Sequence, residues 1–133
     1  MRSVLRAVLG LGLVLALLGA SACDSSEAVG TVVRVRPHEA VRLLEDGGHV
    51  VIDLRTPREF EAGRVAGARN IDASADDFEE RVGRLDPEAR YLVYSRIKGD
   101  SAPAADAMAR LGVEDVVDAG AFGTLALAGA DLE

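Results

Sequence analysis

The chain has 133 residues, with 15 basic and 22 acidic side chains and a formal net charge of −7, and this length leaves room for one domain. The acidic excess repels phosphate backbones and anionic lipid headgroups, so nucleic-acid binding and adsorption through a basic surface are disfavoured. A single cysteine rules out an internal disulfide. Aromatic residues make up only 4% of the chain, so we expect an aliphatic core of strands buried under helices.

The first 22 residues have the pattern of an export signal. Two arginines precede an uncharged apolar run over residues 8–19, and small residues follow up to Cys23. The run is shorter than the roughly 20 residues that a spanning helix needs, although an uncleaved anchor over residues 7–22 stays open. Residues 23–30 are mostly small and polar and predict a short tether, which leaves residues 31–133 for the folded domain.

Strand and helix patterns then alternate along the chain. Short apolar or β-branched runs predict strands over residues 31–35, 49–54, 91–94 and 113–117. Apolar side chains at helical spacing, or a Thr-Pro start, predict helices over residues 37–46, 56–63, 78–85, 101–111 and 122–127. This alternation predicts an α/β fold, with a central parallel sheet and helices on both faces.

In such folds the ligand site lies at the carboxyl ends of the strands. Two polar loops follow predicted strands there, residues 53–56 and residues 95–100. The second loop enters a helix, whose first N–H groups and dipole can hold an anion. Arg96 and Lys98 would add positive charge to this cradle and Asp100 would oppose it. On spacing alone, a solvated connection without a ligand remains the alternative.

Two segments resemble known families. Residues 17–23 resemble the lipobox of bacterial lipoproteins, which implies that Cys23 carries lipid and anchors the exported protein in the cell membrane. Ala20 stands where that pattern prefers Leu, so ordinary cleavage after the small residues, giving a secreted or periplasmic protein, stays open. Residues 51–71 resemble the signature of the rhodanese family. The matching positions there are Asp53, Arg55, Pro57, Glu59, Phe60, Gly63, Gly67, Ala68, Asn70 and Ile71.

Residues 93–102 align without a gap to the active-site segment of rhodaneses, and the resemblance runs from about residue 34 to 132. It implies a single rhodanese-like domain. In that family the first loop position is a cysteine whose thiolate takes up sulfur as a persulfide inside a ring of loop amides. Here Ser95 stands at that position, and a serine hydroxyl is a far weaker acid that forms no sulfur-sulfur bond.

The resemblance therefore implies a degenerate loop with no catalytic residue. Lys98 replaces a family glycine, and Asp100 replaces a family arginine and would repel a bound anion. We expect Asp53 and Arg55 to support the loop frame. The degenerate loop consists of Ser95, Arg96, Ile97, Lys98, Gly99 and Asp100. The candidates for anion binding are Ser95, Arg96, Lys98, Gly99 and Ser101.

Other routes to catalysis have little support in the sequence. Cys23 is the only thiol and lies on the tether, far from Ser95 along the chain. A hydrolase built on Ser95 would need a base, and we expect the two histidines, His38 and His49, to be surface residues. Two histidines and one cysteine show no metal-ligand spacing, so neither a metal nor another cofactor is expected.

These patterns predict an exported, lipid-anchored rhodanese-like domain that acts as a non-catalytic binding or scaffolding module. We expect a monomer whose partner is an envelope protein or a small anion, with no nucleic acid involved. Two alternatives stay open. One is a thiosulfate-type sulfurtransferase that is active only with a thiol from elsewhere, and the other is a purely structural envelope protein.

Overall fold

A computed structural model describes residues 29–133. The export signal, Cys23 and most of the tether lie outside the described residues. Within residues 29–133, no helix has the length and apolar character needed to cross a membrane.

Five parallel strands form one sheet, and helices connect them. The strands are β1 Thr31–Arg34, β2 Val50–Asp53, β3 Arg69–Asn70, β4 Arg90–Ser95 and β5 Asp115–Ala121. The helices are α1 Pro37–Asp46, α2 Pro57–Ala62, α3 Phe78–Val82, α4 Lys98–Arg110 and α5 Phe122–Leu127. The strand order is β1-β5-β4-β2-β3, and every pairing is parallel. The α/β fold with a parallel sheet is therefore confirmed.

The core lies on both faces of the sheet. On one face, Phe78 of α3 and Met108 of α4 pack with buried strand residues such as Ile52 and Val93. On the other face, Ala40 of α1 and Leu125 of α5 form a second cluster with Leu92, Tyr94, Val117 and other buried side chains. Because both faces are covered, β4 is apolar almost throughout, as the continuous run in the sequence predicts.

Several boundaries differ from the sequence prediction. The two-residue strand β3 was not predicted, because it is too short to show a period. Helix α4 begins at Lys98, three residues before the predicted start, since Ile97 is extended (φ −131°, ψ 156°) and the polar residues after it form the first turn. Strand β5 extends to Ala121, beyond the predicted residue 117. Strand β2, which carries Asp53, is an interior strand between β4 and β3.

Candidate functional site at the carboxyl edge of the sheet

A cleft of about 660 Å³ opens at the carboxyl edge of the sheet. The segments after β2, β3 and β4 line it together with the first turns of α2 and α4, so the two loops singled out in the sequence meet in one cavity. The lining side chains are Leu54, Arg55, Thr56, Glu59, Asp72, Ala73, Ser74, Ser95, Arg96, Gly99, Asp100 and Pro103.

Ser95 is the last residue of β4 and lies in this cleft with only 5% of its surface exposed. Helix α4 starts three residues later, and Ile97, which precedes it, supplies no side-chain cap. The backbone N–H of Asp100 already donates to the Ile97 carbonyl oxygen at 3.1 Å. The N–H groups of the first two residues of a helix have no partner inside the helix, so this end of the cleft can accept an anionic group.

The remaining loop positions differ in exposure. Arg96 is exposed, and its guanidinium lies 3.8 Å from the Asp100 carboxylate. Gly99 lines the cleft in the first turn of α4. Ser101 is fully buried in the same helix, so it lies behind the cleft wall. Lys98 begins α4, and its side chain is outside the described part of the chain.

Two more carboxylates, those of Glu59 and Asp72, line the cleft. Glu59 Oε2 accepts hydrogen bonds from the backbone N–H of Thr56 (3.1 Å) and from its hydroxyl (2.7 Å). This capping box starts α2, as the Thr-Pro pattern indicates. The hydroxyl bond lowers the pKa of Glu59. Asp72 Oδ1 accepts from the N–H and the hydroxyl of Ser74, at 2.9 and 2.6 Å.

Beneath the cleft, Asp53 and Arg55 form a buried ion pair. Asp53 is completely buried and Arg55 is 7% exposed. Arg55 Nη2 donates to Asp53 Oδ2 at 2.6 Å, and its Nε lies 3.0 Å from Oδ1. The backbone N–H of Arg55 also donates to Oδ1 at 2.9 Å. Burial alone lowers the pKa of Arg55, but the hydrogen bonds and charge of Asp53 raise it by more.

The ion pair is part of a larger network that the sequence analysis missed. The Tyr94 hydroxyl donates to Asp53 Oδ2 (2.7 Å) and accepts from the N–H of Val65 (3.0 Å). Burial, followed by the bond to Asp53, raises the pKa of Tyr94. The Arg55 guanidinium carbon lies 3.9 Å from the centre of the Phe122 ring. The side-chain amide of Asn70 donates to the backbone oxygens of Asp53 and Arg55. Asn70 was visible as a signature match, whereas no local pattern indicated Tyr94 or Phe122.

The histidines lie away from this cleft. His38 is exposed on α1. His49 precedes β2, at the amino edge of the sheet, whereas Ser95 ends β4 at the carboxyl edge. The prediction that His49 is a surface residue is wrong in one respect: both ring nitrogens are buried without a hydrogen-bond partner. Residues 29–133 contain no group of three or more histidine, cysteine or acidic side chains arranged to hold a metal.

A parallel sheet with a cleft between the ends of β2 and β4 is the architecture of an α/β ligand-binding domain. The family model described as rhodanese-like domain matches residues 36–120, and the chain belongs to this rhodanese-like family. The thiosulfate sulfurtransferase GlpE of Pseudomonas putida is 37% identical over 90 residues, covering 65% of this chain and 79% of that protein. GlpE of Pseudomonas aeruginosa is 34% identical over 87 residues, covering 65% and 76%.

Solved structures share the fold at lower identity. The Alr3790 protein from Anabaena superposes with a TM-score of 0.65 at 20% identity, over 74% of this chain and 90% of that one. A rhodanese-related protein from Thermoplasma volcanium gives a TM-score of 0.65 at 22% identity, over 75% and 96%. These two structures support the architecture of the sheet and its helices.

Proposed function

We propose that this protein is a rhodanese-like domain without sulfurtransferase activity of its own, and that the cleft at Ser95 is a binding site. One observation supports the proposal. Ser95 lies in the cleft, three residues before the start of α4, at the position that aligns with the nucleophilic cysteine of rhodaneses. The parallel-sheet fold of the domain is retained. The cysteine sulfur that would carry the transferred sulfur atom is absent, because the residue at this position is a serine.

The chemistry of sulfur transfer depends on that atom. A thiolate attacks the outer sulfur of thiosulfate, a sulfur-sulfur bond forms, and sulfite leaves with the bonding electron pair. The serine hydroxyl is not ionised at neutral pH and has no sulfur with which to form the persulfide. Neither His38 nor His49 lines the cleft that holds Ser95, and His49 sits at the opposite edge of the sheet.

A second candidate function comes from the relatives. The Pseudomonas proteins are named thiosulfate sulfurtransferases, and the cleft of this chain could serve the same reaction if a thiol came from another molecule. Asp100 opposes this alternative, since its carboxylate repels an anionic sulfur donor at the cleft. A purely structural envelope protein is the remaining alternative, and it has no ligand in the cleft.

The catalytic test uses variants of Ser95 in a background in which Cys23 is replaced by Ala, so that no other thiol is present. The parent protein should transfer no sulfur from thiosulfate to cyanide. Ser95→Cys should gain measurable turnover, because helix amides favour a thiolate there. Adding Asp100→Arg should raise its rate, most strongly at low salt. Clear turnover by the Ser95 parent would overturn the proposal.

Ser74→Cys is the matched control for the new thiol. Ser74 lines the same cleft but lies in the segment after β3 and not in the loop that enters α4, so its thiol should stay inactive. Equal turnover by both cysteine variants would show that the position of Ser95 has no special role.

The proposal also places the domain at the cell membrane through lipid on Cys23, with an envelope protein or a small anion as its partner. Two or three acyl chains anchor a protein firmly, whereas one is marginal. The protein should therefore fractionate with membranes, and Cys23→Ala should release it. An unmodified N-terminal Cys23 in the intact mass of the mature chain would contradict the anchor.

A further inference from the structure

Strand β1 has one edge to which no strand of the described chain is bonded. It is the outermost strand of the sheet and pairs only with β5 within residues 29–133. The N–H groups of Thr31 and Val35 donate to carbonyl oxygens on the β5 side, at 2.8 and 3.1 Å. Backbone groups alternate between the two edges of a strand, so the N–H and C=O groups of Val32 and Arg34 point to the free edge.

The usual protections of a free edge are weak at β1. Natural sheets blunt an edge with a very short strand, a proline, a bulge or an exposed charge. The other edge strand, β3, has only two residues. Strand β1 has four residues and no proline. Its one charged side chain, Arg34, is paired with Asp106 at 2.8 Å and lies 3.6 Å from Asp118, so its charge is largely neutralised.

A groove runs beside the same edge, on the face of the sheet that carries α1. Its volume is about 530 Å³, and its apolar lining consists of Val33, Val35, Leu43 and Val117. Charged side chains line the rest, among them the ion pair of Arg90 and Asp115 at 2.9 Å. Val33 is 47% exposed, although it lies on the face where Val35 and Leu43 pack against the core. A strand added to β1 would cover Val33.

The edge of β1 is complementary to a second copy of itself. In an antiparallel pair, residues whose backbone groups point to the partner exchange both hydrogen bonds. Val32 therefore pairs with Arg34 of the second copy, and Arg34 with Val32. Val33 then lies opposite Val33 of the second copy, on the two-fold axis, and Thr31 lies opposite Val35. No charge of β1 faces a like charge in this register, and pairs of β-branched side chains stabilise a sheet.

We propose that this protein forms a symmetric dimer in which the β1 strands of two copies pair antiparallel and join the two sheets into one. Both Val33 side chains then point to the same face, and the grooves of the two copies meet at the axis. This dimer replaces the monomer that we expect from the sequence alone. The inference goes beyond the proposed function and is independent of it, because β1 does not line the cleft that holds Ser95.

Engineered cysteines test the register. In the full-length protein with Cys23→Ala, in detergent with micelles in excess over chains, Val33→Cys places two thiols on the axis. Side chains at such a position have Cβ atoms about 4.5–5.5 Å apart, close enough for a disulfide after slight adjustment. With copper phenanthroline as the oxidant, Val33→Cys should give linked dimers at least about tenfold faster than Leu127→Cys. Leu127 is the matched control, because it is 90% exposed on α5.

A mixture of two variants tests the same register away from the axis. Chains with Thr31→Cys and chains with Val35→Cys should link to each other faster than either variant links to itself. Equal rates for the mixture and the single variants would contradict the antiparallel pairing.

Amide exchange tests the hydrogen bonds without any substitution. As the protein concentration rises, the amides of Val32 and Arg34 should exchange about tenfold more slowly. The amide of Thr31 should not change, because it already donates to Glu114 within one copy. Protection of Val32 and Arg34 at every concentration would show that the same chain covers the edge, and this result would overturn the dimer.

A charge on the axis should break the dimer. Val33→Lys places two ammonium groups opposite each other, so sedimentation velocity should show a monomer at concentrations where Leu127→Lys still shows a dimer. Thermal melting checks that both variants fold. If Val33→Cys links no faster than Leu127→Cys, or if exchange at Val32 and Arg34 is fast at every concentration, the inference is overturned. These results leave the proposed function unchanged, since that proposal depends on sulfur transfer at Ser95.

Discussion

Removal of the Asp53 carboxylate should cost this domain more stability than removal of any exposed acid. In Asp53→Ala the Arg55 guanidinium, buried in the wild type with 7% of the residue exposed, loses the only carboxylate that pairs with it within residues 29–133, while the Gly63 carbonyl oxygen at 2.6 Å and the Phe122 ring remain. Breaking a buried ion pair by removing one partner costs about 3–5 kcal/mol. Tyr94 also loses the acceptor of its buried hydroxyl, which adds to this cost.

Urea unfolding and thermal melting measure this effect. For a domain of this size, a loss of about 3–5 kcal/mol lowers the melting temperature by roughly 12–20 °C, at about 4 °C per kcal/mol. Asp106→Ala is the matched control. Asp106 pairs with Arg34 at 2.8 Å, but both side chains are nearly half exposed, and such pairs contribute about 0–1 kcal/mol.

A double variant separates the charge effect from a loss of packing. Arg55→Met removes the buried positive charge and keeps an apolar stem against the Phe122 ring. If the unpaired charge is the main cost, Asp53→Ala combined with Arg55→Met should be more stable than Asp53→Ala alone. The reasoning is refuted if Asp53→Ala costs no more than Asp106→Ala, or if the double variant is the less stable of the two.

Two further predictions concern the fold away from the cleft. A Cβ on Gly30 would lie 1.7 Å from the Val113 carbonyl oxygen, so Gly30→Ala should lower the free energy of unfolding by about 1–3 kcal/mol. A Cβ on Gly123, in helix α5, would have none of the neighbouring atoms tested within 4 Å, so Gly123→Ala should raise the free energy of unfolding by up to about 1 kcal/mol. Urea unfolding measures both variants, and equal unfolding midpoints would contradict this. Burial lowers the pKa of His49 below the ordinary value of 6.5. As the pH falls below about 7, the imidazole of His49 is therefore protonated more readily in the unfolded state than in the folded state, and the folded domain loses stability. His49→Gln should reduce the loss of stability between pH 7 and pH 5; if this variant follows the wild type, burial of His49 has no such effect.

Much of the fold could be predicted because its signals are local. The run of buried residues in β4, the Thr-Pro start of α2 and the glycines after α1 each depend on neighbours in sequence. The start of α4 was predicted three residues late, since its first turn is polar and has no apolar stripe. Strand β3 was missed because two residues carry no periodicity.

The candidate site could be predicted in part. The loop after β4 was identified from its place before a helix and from the rhodanese resemblance. Glu59 was visible as a signature match and as part of the Thr-Pro start of α2, and Asp72 gave no signal. Both line the same cleft as Ser95, because the carboxyl ends of the parallel strands β4, β2 and β3 meet at one edge. Neither spacing nor composition indicates which acidic side chains share a cavity.

The sequence by itself determined the α/β class, the rhodanese-like family and the absence of a cysteine at position 95. These properties depend on residue identity and local periodicity. Only the tertiary structure decided that Tyr94 hydrogen-bonds to Asp53 across 41 positions of chain, and that His49 buries both ring nitrogens. The physical reason is that burial and charge pairing depend on distances between segments, and these distances are set by strand order and packing across the sheet.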